Sequence, residues 1–270
     1  MAGDPKRVVA VVGCGQGLGG AVAAKFAKEG YTIAAMARSQ ESLDYVKALL
    51  AKAGDKQQHG FYAMDATKKA EVDATFAKVA AELGNVSVLV YNVSDSPSAL
   101  NQAVLDIKPE DYVASFNISA LGALLCTQAV LPSMLASEGW VVTPTSKGVV
   151  KRGTILYTSA TAAFRSGAKS ARAAAGKMPL RALSQSVAKE YGKQGIHAVH
   201  LRMDCVFESP GNQKRMEGFG MGEWYASATA ANKFATVEDL ADAYYAMHMQ
   251  SPMAWTNEMD LRPFIEDWTF

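Results

Sequence analysis

The stretch from Arg7 to Gly20 is RVVAVVGCGQGLGG. After one arginine, five consecutive residues are valine or alanine, and Gly13 follows them directly. A short β-branched run that ends in glycine is typical of a buried strand. The next segment, Ala21 to Glu29, places Val22 and Phe26 on one side of a helix. The sequence therefore predicts a strand, a glycine turn and a helix in immediate succession.

The glycines of this turn indicate a site for an anion. A helix N-terminus presents free backbone N–H groups, and glycine lets a pyrophosphate come close to the backbone. Two spacings fit a dinucleotide-binding turn: Gly15, Gly17 and Gly20, or Gly13, Gly17 and Gly19. We prefer the second, because it begins where the strand ends. A glycine-rich turn without a ligand is the alternative. The residues expected to border the pyrophosphate are Gly13, Gly15, Gln16, Gly17, Leu18 and Gly19.

Composition favours a single α/β domain and offers little for other classes of protein. The chain has 270 residues, of which 49% are hydrophobic, enough for a substantial core. The net charge of +1 gives no basic tract for nucleic acid or an anionic membrane. We expect no transmembrane helix, since no apolar run approaches the required length, and no signal peptide. Three widely spaced cysteines, Cys14, Cys126 and Cys205, favour a reducing, cytoplasmic location.

Strand and helix patterns alternate to the end of the chain. Strands are predicted at 7–12, 31–37, 60–64, 86–91, 153–158 and 196–202, with a short one within 253–261. Helices are predicted at 21–29, 40–53, 67–83, 109–137, 171–191 and 236–250. This alternation predicts one Rossmann-type domain over 1–270, a doubly wound parallel sheet of about seven strands with helices on both faces. A ligand crevice is expected at the carboxyl ends of the strands.

Two segments interrupt the alternation. Residues 140–152 lie between a helix and the fifth strand, and we interpret them as a surface insertion with no role or with an oligomer contact. Residues 207–235 are rich in Gly, Met and Ser and follow the sixth strand, above the expected crevice. Because long irregular loops are often functional, we predict that this segment is a substrate lid.

Several motifs together resemble the short-chain dehydrogenase/reductase family over nearly the whole chain. Gly13, Gly17 and Gly19 match the family's glycine spacing, and Asn92 is retained from its Asn-Asn-Ala-Gly segment. The resemblance implies a nicotinamide dinucleotide over the glycine turn, with Asn92 beside it.

The resemblance also implies roles for residues further along the chain. Asp65 and Ala66 match the segment near the adenine, although an N-cap formed by Asp65 or Thr67 is an alternative. Asn117 matches an asparagine that holds a water near the catalytic lysine, with a plain surface asparagine as the alternative. Lys177 matches the lysine that binds the nicotinamide ribose.

The end of the second predicted strand bears on the choice of cofactor. An acidic residue there would accept a hydrogen bond from a ribose 2′-OH and repel a 2′-phosphate. Here Ala37 is followed by Arg38, whose guanidinium can pair with a phosphate. We therefore predict NADP(H) rather than NAD(H), with a solvated arginine as the alternative.

The expected catalytic centre departs from the family. The family has Tyr-x-x-x-Lys, but Ala173 stands four residues before Lys177, and the family's serine position falls on Ala160. Ser159 lies one residue early, where a strand side chain faces the other side of the sheet. The candidate catalytic residues are Lys177, Asn117 and Ser159. Weaker candidates for the proton donor, besides Ser159, are Tyr157, Asp204 and Tyr225.

The C-terminal segment agrees with this departure. Residues 255–263 (WTNEMDLRP) resemble the tail of a divergent branch of the family that lacks the tyrosine, and the resemblance does not imply that branch's reaction.

The sequence predicts an NADP(H)-dependent oxidoreductase that acts on a small carbonyl or alcohol substrate through a non-standard active site. A dinucleotide-binding sensor or subunit without turnover, or a lyase or epimerase that uses the cofactor structurally, are the alternatives. We expect no metal, since His197 and His200 would face opposite sides of a strand. A homodimer or homotetramer is predicted, because the helices at 109–137 and 171–191 have apolar residues on more than one side.

Overall fold

A single parallel sheet organises the chain. The structure is a computed structural model that describes residues 7–52, 57–95, 102–143 and 146–265, without the side chain of Arg215. Its strands are β1 (Val8–Val12), β2 (Thr32–Ala37), β3 (Gly60–Ala63), β4 (Val86–Tyr91), β5 (Gly153–Ala160), β6 (Ile196–Met203) and β7 (Glu258–Leu261). All neighbouring strands pair in parallel, in the order β3-β2-β1-β4-β5-β6-β7. The predicted doubly wound sheet of about seven strands is confirmed.

Helices cover both faces of this sheet. They are α1 (Leu18–Lys28), α2 (Gln40–Lys52), α3 (Lys69–Glu82), α4 (Pro109–Phe116), α5 (Gly122–Ala136), α6 (Ala171–Tyr191), α7 (Pro210–Gly218), α8 (Gly222–Ala230) and α9 (Val237–His248). Apolar residues of α1, α2 and α9 form a core on one face, and those of α3, α5 and α6 form a core on the other. Because both faces are covered, the central strands β1, β2 and β4 are mostly apolar, as the sequence indicated.

The order of the strands creates a crevice between β1 and β4. From β1 the chain proceeds outward through β2 and β3, then returns to β4 on the other side of β1. Loops at the carboxyl ends of β1 and β4 therefore diverge, and ligands bind at such a switch point in open α/β sheets. Asn92 follows β4 and spans this point, since its amide Nδ2 donates to Gly13 O at 3.0 Å and its backbone N–H donates to Val12 O at 2.8 Å.

The boundaries of two helical segments differ from the prediction. Helix α1 begins at Leu18 rather than Ala21, because the glycines that indicate a turn also belong to the first helical turn. The segment predicted as one helix over 109–137 consists of α4 and α5, joined by a π-helical turn at Asn117–Leu121.

The segment from α4 to α5 bears on the membrane prediction. Residues Pro109–Ala136 are long and apolar enough to cross a membrane by length and composition alone, which corrects the expectation that no such run exists. Half of the most apolar 18-residue stretch within this segment is buried inside the domain. Helix α5 packs on β4 and β5. A core helix of a globular domain has the same properties.

Two segments differ from the sequence-based expectation in the residues that the structure describes. Residues 207–235 are not an irregular loop, because they contain α7 and α8 and are tied at their ends by a bridge between Phe207 and Ala235. In the segment 140–152, Trp140 and Lys151 pair through their backbones, and the Lys151 side chain is fully buried. This segment therefore reaches into the interior as well as covering the surface.

Candidate functional site

A cleft of about 660 Å³ opens at the carboxyl ends of the strands. It is bordered by the glycine turn after β1, the ends of β2 and β4, the start of α6 and the segment after β6. All predicted cofactor residues line it: Gly13, Gly15, Gln16, Gly17, Leu18, Gly19, Arg38, Asp65, Ala66, Asn92 and Lys177. The fold therefore brings residues from five parts of the chain to one concave surface.

The glycines of the turn serve two different purposes. Gly13 has φ +85°, and a Cβ at Gly19 would lie 2.4 Å from Gly13 O, so both positions require glycine for the fold itself. At Gly17, in contrast, a Cβ would meet only the Ser209 side chain, at 3.6 Å. The space above Gly17 opens into the cleft. The fold itself does not require glycine at this position, whereas a group bound in the cleft would require it.

Arg38 and Asp65 lie at one end of the cleft. Arg38 is exposed at the end of β2, where its charge can reach an anion in the cleft. Asp65 accepts hydrogen bonds from Thr67, from the backbone N–H at 2.9 Å and the hydroxyl at 2.8 Å. Burial favours a higher pKa for Asp65, but the Thr67 hydrogen bonds together with the positive charges of Lys68 and Arg38 outweigh burial and lower the pKa. Helix α3 is preceded by Lys68 at its N-cap, so neither Asp65 nor Thr67 caps it.

Lys177 lies at the other end of the cleft. Its ammonium Nζ donates to the carbonyl oxygens of Thr158 at 3.1 Å and Val93 at 3.4 Å. Burial lowers the pKa of Lys177 to about 8, and the nearby Asp95 carboxylate opposes that shift. The ammonium is thus mostly charged at neutral pH, in a position where it can donate to hydroxyl or anionic groups.

The predicted catalytic residues are only partly brought together. Ser159 lines the cleft with Lys177, and its side chain is 3% exposed. Asn117 lies in the π-helical turn, half-buried, and is not among the described residues that line the cleft, although its neighbours Ile118 and Ser119 are. Ala173 and Ala160 both line the cleft, so the side chains at these positions offer no proton there.

The weaker candidates for a proton donor have other partners. The Tyr157 hydroxyl is wholly buried at 2.8 Å from Thr127 Oγ1, and burial raises its pKa well above the ordinary value. Asp204 pairs with Arg262, and the Tyr225 hydroxyl accepts the backbone N–H of Ser209 at 3.1 Å. Of these three candidates, none belongs to the lining of the cleft in the part of the chain that the structure describes.

A buried ion pair beside the cleft was not predicted. Arg172 binds Asp95 through two hydrogen bonds of 3.0 Å, and both side chains are 8% exposed. Asp95 lines the cleft, and Arg172 directly precedes Ala173. Because the two residues are 77 positions apart, no local pattern in the sequence indicates their contact.

Two buried histidines have structural surroundings. His197 stacks on Trp255 with ring centroids 4.7 Å apart, and its Nε2 lies 2.8 Å from Thr256 O. His200 packs near Phe164. Among the described residues, no group of three or more His, Cys, Asp or Glu side chains is placed to hold a metal ion.

Comparison with known proteins identifies the family. The family model for short chain dehydrogenases matches residues 7–215. D-threitol dehydrogenase of Mycolicibacterium smegmatis is 26% identical over 237 residues, which cover 88% of this chain and 84% of that protein.

Solved structures show the same fold. A short-chain dehydrogenase from Rhodopseudomonas palustris has a TM-score of 0.74 and 26% identity, covering 97% of this chain and 100% of that one. Actinorhodin polyketide ketoreductase, crystallised with NADPH, has a TM-score of 0.81 at 20% identity, covering 97% and 98%, and its likeness concerns the fold alone. The chain therefore belongs to the short chain dehydrogenase family.

Proposed function

We propose that the protein is an NADP(H)-dependent oxidoreductase acting on a small carbonyl or alcohol substrate through a non-standard active site. The observation that carries this proposal is the convergence of the glycine turn, Arg38 and Lys177 on one cleft at the switch point of the sheet. Family membership supports the reaction class, since its members include dehydrogenases such as D-threitol dehydrogenase.

The residues of the cleft fit a dinucleotide. The open space above Gly17 and the N-terminus of α1 would receive the pyrophosphate, while Asn92 fixes the turn through Gly13. Lys177 would donate to the hydroxyls of the nicotinamide ribose. When bound, the cofactor would supply or accept the hydride. The residues of the chain would bind and orient the cofactor and the substrate, and they would exclude water from the cleft.

Arg38 is the residue proposed to select NADP(H). A hydrogen bond to a charged group contributes about 1.5–3 kcal/mol, and solvent screening of this exposed side chain favours the lower end. We expect Arg38→Ala to weaken NADPH binding about tenfold, and to leave NADH binding nearly unchanged. Lys47→Ala, an exposed site on α2 outside the cleft lining, is the control. Fluorescence titration measures the affinities of the wild type and both variants for NADPH and for NADH. Equal wild-type affinity for NADH and NADPH would contradict the assignment.

Turnover is a separate question from binding. Ala160 and Ala173 favour a second candidate, a dinucleotide-binding protein without redox turnover, because neither side chain can transfer a proton. Purified protein with NADPH and a panel of small ketones and quinones distinguishes the two. Substrate-dependent loss of the reduced nicotinamide band supports the oxidoreductase. Tight NADPH binding without that loss across the panel supports the binding protein.

We also propose self-association and a cytoplasmic location. Tyr112, Val113 and Phe116 on α4 are exposed apolar side chains, which supports burial against a second copy. Light scattering at micromolar concentration should give the mass of a dimer or tetramer. A monomer would refute this part of the proposal.

A further inference from the structure

Two buried hydroxyl groups in the cleft have no hydrogen-bond partner among the residues that the structure describes. Ser115 is 1% exposed and Ser159 is 3% exposed, and both line the cleft. Neither Oγ makes a hydrogen bond to any described part of the chain. Because a buried polar atom without a partner costs about 1–3 kcal/mol, these hydroxyls point to a polar group that the cleft receives.

A cation lies beside these hydroxyls. Two of the three N–H groups of Lys177 Nζ donate to the carbonyl oxygens of Thr158 and Val93. Helices α4 and α6 approach closely next to it, since a Cβ at Gly176 would lie 2.6 Å from Ser115 O. One ammonium N–H is thus left for a group in the same region of the cleft.

The surrounding wall is apolar, and its nearest carboxylate is already paired. Ala162, Ala173, Met203 and Phe207 are apolar residues that line the same cleft. Asp95 also lines it, but both of its oxygens accept from Arg172. An ammonium, unpaired hydroxyls and apolar walls suit a flat ring that carries an acidic hydroxyl, because the ring packs on the walls while the oxygen reaches the cation.

We propose that the region bounded by Ala173, Lys177, Ser115 and Ser159 is a subsite for the acidic hydroxyl of a phenol or enol. As a statement about substrates it rests on the proposed function, and it names the class as carbonyl compounds that carry a phenolic or enolic hydroxyl. The hydroxyl oxygen sits against the positive charge of Lys177, whose remaining N–H donates to the nicotinamide ribose when the cofactor is bound, and the ring lies over Ala173.

The test uses p-nitrophenol, whose phenolate is coloured in the visible range and whose phenol is not. It is titrated against the cofactor-free protein one pH unit below the free pKa of the probe, where about a tenth of the free probe is ionised. A cation within contact lowers the pKa of an acid by about 1–3 units, so at least about half of the bound probe should be ionised. The expected result is a saturable rise in the phenolate band.

Three variants locate the binding. Ala173→Leu fills the subsite and should weaken binding at least tenfold. Ala175→Leu lies on the same helix outside the cleft lining and should leave binding unchanged. Lys177→Met should keep p-nitrophenol binding, measured by equilibrium dialysis, but lose the rise in phenolate. Circular dichroism confirms that each variant is folded, and if Ala173→Leu is not, the Lys177→Met comparison decides.

The outcomes separate this inference from the proposed function. No phenolate rise in the wild type, equal binding by the two leucine variants, or an unchanged rise in Lys177→Met each overturns the subsite. NADPH binding is titrated in parallel. If the protein does not bind NADPH but shows the phenolate rise, the proposed function alone is overturned. If it binds NADPH but shows no phenolate rise, the subsite alone is overturned.

Discussion

Lys151→Met should stabilise the protein at pH 6 and much less at pH 9. The Lys151 side chain is 0% exposed, and its Nζ donates to His248 O at 2.5 Å. The ammonium also lies 5.7 Å from the centre of the Trp255 ring. Burial lowers the pKa of Lys151 from 10.5 to about 7, and the positive charge of Arg7 acts in the same direction.

The sign and size of the effect follow from proton linkage. Between pH 7 and 10.5 the unfolded chain holds the Lys151 proton more tightly than the folded one, so stability rises with pH over this window. Burying the lysine therefore costs on the order of 5 kcal/mol at pH 6 and about 2 kcal/mol at pH 9. Methionine leaves the His248 carbonyl without this partner, which costs about 1–3 kcal/mol. The net gain is about 2–4 kcal/mol at pH 6 and near zero at pH 9.

Urea unfolding at the two pH values measures this gain. Lys47→Met, at an exposed site on α2, is the matched control and should change the free energy of unfolding little at either pH. A gain for Lys151→Met that is equal at pH 6 and pH 9, or larger at pH 9, would show that burial of the Lys151 ammonium does not destabilise the fold.

Two further predictions concern the neighbourhood of the cleft. Asp95→Asn should lower the free energy of unfolding by about 3 kcal/mol in chemical denaturation, because among the described residues it leaves the buried Arg172 charge with Asp111, at 3.5 Å, as its acidic partner. A change below about 0.5 kcal/mol would contradict this. Ala173→Tyr alone should raise kcat/KM with NADPH and small ketones or quinones little, whereas its pair with Ala160→Ser should raise it more, toward the ~10²–10⁴-fold of a positioned acid. A strong gain from the single variant, or none from the pair, would count against this.

Strands were predictable because both faces of the sheet are covered. The β4 residues Val86–Tyr91 are apolar apart from Ser87 and are bounded by Asn85 and Asn92, and the prediction matched the strand residue for residue. The glycine turn was also predictable. Gly13 and Gly19 lie so close to backbone atoms that only glycine fits at these positions. Each of these features depends on short-range patterns that the sequence shows directly.

Other features could not be predicted from local patterns in the sequence. The sequence PGNQKRMEG of α7 has no apolar stripe and contains glycine, so its helix was missed. The burial of Lys151 arises from its contact with His248, and Asp95 meets Arg172 across 77 residues. Asn117 lies in a π-helical turn that no residue pattern indicated, and it does not line the cleft.

NADPH titration of Gly17→Val tests whether the glycine turn binds a dinucleotide or is a turn without a ligand. A Cβ at Gly17 meets only the Ser209 side chain, at 3.6 Å, so the variant should fold with an unchanged circular dichroism spectrum. The valine methyl groups would occupy the space that a pyrophosphate needs. Gly192→Val, where a Cβ meets nothing within 4 Å, is the control. We predict that Gly17→Val loses NADPH binding while Gly192→Val keeps the wild-type Kd, and an unchanged Kd in folded Gly17→Val would contradict a dinucleotide in this cleft.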